Sequence, residues 1–138
     1  MSRRRSRVSA PVAAPTPNPK RRSAWQRGRG AETLCTWWLR LHGWRILARG
    51  YRVPSGEIDI IARRGSTVAA IEVKTRDSMG DALDAVTPRQ RRRVARAFEH
   101  FLAGRPDLAA LTLRFDVMLV VPRHLPRHVA DAWRTDGS

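Results

Sequence analysis

The chain has 138 residues, enough for one domain with its own core and too few for two. Its formal charge of +15 comes from 27 Lys and Arg against 12 Asp and Glu, which points to a polyanion partner, most often nucleic acid; a compositional preference for Arg, 25 of the 27, is the competing explanation. The single cysteine, Cys35, excludes an intrachain disulfide framework and a cysteine zinc site, and no apolar run reaches the roughly 18 residues that span a membrane.

The charge is unevenly placed. Nine of the basic residues and none of the acidic ones fall in residues 1–30, leaving 18 against 12 and a net of +6 beyond. Residues 1–24 are basic, Pro-rich and short of large apolar groups, so they read as a disordered tail. Such a tail either grips phosphates without regard to sequence or only solubilises the protein. Residues 25–138 form the single folded domain. The N-terminus lacks the apolar block of a secretory signal, and one unpaired cysteine suits a reducing compartment, so the cytoplasm is expected.

A helix is predicted from about Gly30 to His42, where Leu34, Trp37, Trp38 and Leu41 recur at helical spacing and Gly43 supplies a stop. That spacing favours core packing of the two tryptophans over stacking on bases. Glu32 lies in the first turn, where a carboxylate complements the helix dipole. Trp44 to Tyr51 reads as the first strand, and Pro54-Ser55-Gly56 as a turn. Two apolar strands follow, Glu57–Ala62 and Thr67–Lys74, joined by Arg63-Arg64-Gly65-Ser66.

Thr75 to Thr87 is a polar connection that either closes over a substrate or is simply mobile. Pro88 opens a second helix running to about Ala103, with Val94, Ala97, Phe98, Phe101 and Leu102 on its apolar face. Its first turns carry Arg89, Arg91, Arg92 and Arg93, with Arg96 one turn on, either a phosphate-binding face or a solvated one. Leu111 to Val121 is apolar enough for a central strand, and the stretch to Trp133 is an edge segment or a short helix. Helix, strand, strand, strand, helix, strand in this order predicts an α/β or α+β layer fold with a mixed sheet.

The central strands carry carboxylates where buried strands should carry none. Side chains alternate with period two, so Glu57 and Asp59 share one face of their strand, and Glu72 and Lys74 one face of theirs. If the strands pair as a hairpin, Asp59 and Glu72 meet near its open end. Buried carboxylates are costly unless they hold a metal or each other. Two of them can hold a hard cation such as Mg²⁺ through oxygen. An ammonium one pleat on, Lys74, can position a water or stabilise charge on a phosphoryl oxygen. Lys74 is also the only Lys in residues 25–138. The competing explanation is an ion-pair network internal to the sheet.

Gly56-Glu57-Ile58-Asp59-Ile60-Ile61-Ala62, Ala70-Ile71-Glu72-Val73-Lys74-Thr75-Arg76 and Arg114-Phe115-Asp116-Val117 resemble the signature blocks of the UPF0102 (YraN-like) family. The likeness extends over about residues 27 to 133, from Ala31-Glu32 to His128-Val129-Ala130-Asp131-Ala132-Trp133. That family resembles the PD-(D/E)xK nucleases, archaeal Holliday junction resolvases in particular. The resemblance implies a restriction-endonuclease-like core, a mixed four- to five-stranded sheet flanked by helices. It implies Asp59 and Glu72 as metal-binding carboxylates for Mg²⁺ or Mn²⁺, the backbone carbonyl of Val73 as a further metal contact, Lys74 as the catalytic lysine and Glu32 as an added acidic residue. Glu57 and Gln90 are accessory candidates; Gln90 stands where many members have Lys, and Ile58 replaces the Pro of the motif's name. Asp116 matches no catalytic motif and is expected to cap or to pair with Arg114.

The activity implied is a metal-dependent endonuclease on DNA, including branched or structured DNA in repair and recombination. The alternative is a non-catalytic nucleic-acid-binding module that keeps the fold. With one site per chain, symmetric cutting of two strands requires an oligomer such as a homodimer.

Overall fold

The structure is a computed structural model that describes residues 19–78 and 86–135. The elements are α1 (Pro19–Leu41), β1 (Arg45–Val53), β2 (Gly56–Arg64), β3 (Thr67–Thr75), α2 (Pro88–Ala103), β4 (Thr112–Val120) and β5 (Arg127–Trp133). The strands form one sheet in the order β1-β2-β3-β4-β5. β1, β2 and β3 form an antiparallel meander, β4 lies parallel to β3 across the α2 crossover, and β5 returns antiparallel at the edge. This is the expected mixed, restriction-endonuclease-like α+β layer. The last segment, left open between edge strand and helix, is a strand.

Local sequence explains the joins. Pro54 and Ser55 turn the chain between the paired Val53 and Gly56. Gly65, at φ 58°, supplies the left-handed backbone that a tight hairpin between Arg64 and Thr67 demands. At the start of α2 the Thr87 hydroxyl accepts from Gln90 N, the Gln90 side chain accepts from Thr87 N, and Pro88 occupies the first turn.

The helices cover opposite faces. Under α2, Val94, Ala97 and Phe98 pack on Ile58, Ile61, Val68, Ala70 and Val117. Under α1, Cys35, Leu39 and Trp44 pack on Ile60, Ala62, Ala69, Ile71 and Met118. Neighbours such as Ala69 and Ala70 thus divide between the two cores, as strand alternation requires. Ile58 and Ile60 should share a face by the same rule, yet they join different cores, so the alternation is interrupted at Asp59. Gly56 fixes the seat of α2, because a Cβ there would lie 1.8 Å from the Arg93 carbonyl oxygen.

α1 differs from expectation in length and in face. It begins at Pro19, so residues 19–24, expected in the tail, form its first turns; residues 1–18 lie outside the described residues. The expected inward face of Leu34, Trp37, Trp38 and Leu41 is mostly outward. Leu34, Trp37 and Leu41 are exposed, and Trp38 is half-buried with its ring stacked on His42. The buried face is Ala31, Cys35 and Leu39, four residues apart. Ala62 and Ala69 present small side chains under α1, against which Cys35 and Leu39 pack. Among the described residues no helix is long and apolar enough to cross a membrane.

Candidate active site

The antiparallel ladder between β2 and β3 ends at the pair Ile60 and Ile71. One step further the same register sets Asp59 opposite Glu72, and there the strands part. The Val73 N–H donates instead to Asp59 Oδ2, at 2.8 Å. The carboxylate fills the gap with an acceptor that the partner strand no longer offers, so a backbone donor is satisfied and Asp59 is fixed in place.

Glu72 is nearly enclosed, at 9% exposure. Its carboxyl is pushed up to about 9, first by burial, then by its hydrogen bond to Asp59 and the Asp59 charge, with Glu57 adding in the same sense and Lys74 opposing. Lys74 Nζ lies 3.6 Å from Glu72 Oε2. At neutral pH Glu72 therefore keeps its proton, shared towards Asp59, because two adjacent carboxylates in a dry setting do not both ionise. Asp59, Glu72 and Lys74 are thus brought together as the spacing predicted.

Glu32, on α1, is half-buried but does not join them. Arg49 Nε donates to Glu32 Oε1 at 3.2 Å, and Arg49 Nη2 to Thr33 Oγ1 at 3.1 Å. The charges of Asp59 and Glu32 both reach Cys35. The buried Cys35 thiol is pushed up to about 12 by burial, then by Asp59, then by Glu32.

The accessory candidates lie apart. Glu57 pairs with Arg52 across the Pro54–Ser55 turn, at 3.0 Å on the exposed rim, and reaches Glu72 only through its charge. Gln90 spends its side chain on the helix cap, accepting from Thr87 N at 2.9 Å. Of the α2 arginines, Arg89, Arg92 and Arg96 are exposed, whereas Arg93 is half-buried. Arg91 donates to the Val86 carbonyl at 3.1 Å and covers the Trp133 ring. The connection from Thr75 to Thr87 includes residues 79–85, which lie outside the described residues.

Asp116 is fully buried away from this constellation and serves the fold. Arg114 grips it through two bonds of 2.9 and 2.8 Å, the His128 ring lies at 2.7 Å, and Asp131 N donates at 2.9 Å. Burial works to raise its carboxyl, but these bonds outweigh it and hold the group below the ordinary value. The Arg114 pairing was legible in the sequence; the His128 and Asp131 contacts depend on β5 lying beside β4. Arg49 was also missed, and its signal was a charged residue in the middle of a strand.

The carboxylates of Asp59 and Glu72 at the open end are oxygen donors. That set suits a hard divalent cation, which would relieve the carboxylate pair as the proton does. Among the described residues no three His, Cys, Asp or Glu side chains converge as a ready cation cage, since Glu32 is held by Arg49.

The family model of Uncharacterised protein family UPF0102 matches residues 31–120. A UPF0102 protein of Paramagnetospirillum magneticum is 48% identical over 124 residues, covering 87% of this chain and 96% of its own. One from Sphingopyxis alaskensis is 53% identical over 114 residues, covering 83% and 97%. Among solved structures, Archaeoglobus fulgidus Hjc, a Holliday junction resolvase from an archaeal hyperthermophile, matches with a TM-score of 0.50 at 22% identity over 76% of this chain and 78% of that one. The likeness is one of fold. The matched model spans both carboxylate blocks and β4, and the relatives align over nearly their full length, so the chain is a member of the UPF0102 family.

Proposed function

We propose that the protein is a divalent-metal-dependent endonuclease that hydrolyses DNA phosphodiesters, with branched or structured DNA of repair and recombination as its substrate. The observation that carries this reading is the pairing of half-buried Asp59 with buried Glu72, with Lys74 Nζ 3.6 Å from Glu72. A sheet this apolar gains nothing in stability from a carboxylate pair that must hold a proton. Asp59, Glu72 and the Val73 carbonyl would hold Mg²⁺ or Mn²⁺, which supplies Lewis-acid polarisation of the phosphate and a more acidic water.

The chain's own residues do the rest. The Val73 N–H holds Asp59 at one orientation. Lys74 places a positive charge beside the carboxylates, where it stabilises negative charge gathering on phosphate oxygens. Glu32 adds a carboxylate from α1. The α2 arginines reach the same end of the molecule, since Gly56 at the start of β2 abuts the Arg93 backbone. Arg89, Arg92 and Arg96, with the basic side chains of residues 1–24, hold DNA phosphates in this reading. Symmetric cutting takes two copies, and a DNA substrate places the protein in the cytoplasm.

The test is cleavage of labelled four-way junction, flap, single-stranded and linear duplex DNA with Mg²⁺ or Mn²⁺, in the wild type, Asp59→Asn and Lys74→Ala. Metal-dependent cutting lost in both variants supports the reading. Equal, salt-sensitive binding by all three without cutting replaces it with a non-catalytic binding module.

A further inference from the structure

Glu32, expected among the acidic residues of the site, is held by another side chain. Its Oε1 accepts from Arg49 Nε at 3.2 Å, while the other arm of the guanidinium holds Thr33. The pair sits at the solvent boundary, with the Arg49 side chain 41% exposed and that of Glu32 26%. Arg49 pairs with Ile60 across the β1–β2 ladder, the residue next to Asp59. One turn on from Glu32 in α1, Cys35 packs with Ile60, so this stretch of the helix lies over the strand that carries Asp59. Release of Arg49 is what would leave Glu32 free to turn towards Asp59 and Glu72.

We infer that Arg49 is a clamp exchanged by substrate. In the free protein it holds Glu32 away from the metal site; when DNA binds, a backbone phosphate takes the guanidinium and Glu32 is released to complete the acidic set. This rests on the nuclease reading above. An ion pair at the solvent boundary is weak and exchanges readily. A guanidinium matches the two oxygens of a phosphate at least as well as one carboxylate oxygen and a hydroxyl. Linkage makes the effect reciprocal: whatever draws Arg49 to phosphate frees Glu32, and whatever draws Glu32 to a cation frees Arg49. The site then assembles only where DNA is present.

Arg49→Gln, which removes the guanidinium, the isosteric Glu32→Gln and the double variant, all near the surface, form the experimental cycle. Mn²⁺ affinity is measured without DNA, and duplex DNA affinity without metal. Arg49→Gln is expected to tighten Mn²⁺ binding by about five-fold or more, and the double variant to lose that gain. Glu32→Gln is expected to tighten DNA binding, and Arg49→Gln on top of it to cancel the gain. Effects that simply add in both assays would overturn the clamp. Asp59→Asn separates the two ideas. If it abolishes Mn²⁺ binding while the cycle is additive, only the clamp fails; if it leaves Mn²⁺ binding unchanged, the nuclease reading and the clamp fall together.

Discussion

The Asp59 carboxylate and the Val73 amide make a hydrogen bond of 2.8 Å where β2 and β3 have already parted. One residue thus both ends a ladder and fixes a carboxylate. Asp59→Ala leaves a part-buried N–H without its acceptor and is expected to cost about 1–3 kcal/mol. Asp59→Asn keeps an acceptor and removes one charge from the pair, so it is expected to be at least as stable as the wild type while losing cleavage. Urea denaturation of the two variants beside the wild type checks this. Equal destabilisation by both would mean the bond is not what holds the strand end.

Stability should fall as pH rises, on account of Glu72. Its folded value of about 9 lies above its ordinary 4.5, so between those values the native state holds a proton that the unfolded chain has released. Stability from this group is complete below about pH 4.5 and is lost as pH climbs through about 9. The limiting slope for one proton is about 1.4 kcal/mol per pH unit. Denaturation midpoints between pH 5 and 8 are expected to fall in the wild type and to flatten in Glu72→Gln. Saturating Mg²⁺ should flatten the wild type as well, because a bound cation takes the proton's place.

Asp116 has the opposite sign. Its carboxyl is held low, so its contribution is present above the ordinary carboxylate value and disappears as acid protonates the group. Asp116→Asn leaves Arg114 and His128 facing a neutral amide in a buried setting and is expected to cost about 3–5 kcal/mol. Thermal unfolding reads the loss. A drop no larger than that of an exposed substitution would show the network to be dispensable.

Gly56→Ala tests the seat of α2. Its added methyl meets the Arg93 carbonyl, which is backbone and can yield only if the helix shifts. The expected cost is about 1–3 kcal/mol from overpacking, accompanied by weaker DNA binding as the arginine face moves. Gel-shift and melting measurements on the same preparation separate the two effects.

The Cys35 thiol, fully buried and pushed up to about 12, is expected to resist alkylation at neutral pH until the protein unfolds. Mass-spectrometric labelling with and without urea reads this directly. Rapid labelling of the native protein would show that α1 lifts from the sheet.

Strands β1 to β4 and α2 were legible because their signals are local: apolar runs such as Ile58 to Ala62, a Pro at the mouth of the helix, and turns that need Gly65; β5, readable as an edge segment or a short helix, was not. The Asp59–Glu72–Lys74 constellation was legible for the same reason, since period two and one hairpin suffice to align it. The face of α1 was not. Leu34, Trp37 and Leu41 carry the stronger hydrophobic signal, but packing against the sheet, a tertiary property, buries Ala31, Cys35 and Leu39 instead. The places of Glu32 and Gln90 also depended on partners distant in sequence or on capping geometry: Arg49 claims the first and Thr87 the second.

Strand order in the sheet repeats strand order in the chain. Three of the four strand pairings therefore close over short connections, and only β3 with β4 must wait for α2 to be made and folded back. As the chain leaves the ribosome, the segment carrying Asp59, Glu72 and Lys74 emerges complete before any of the helix that bears the arginines. The β2–β3 hairpin can therefore form before α2 exists, whereas closure of the parallel pair has to follow the helix.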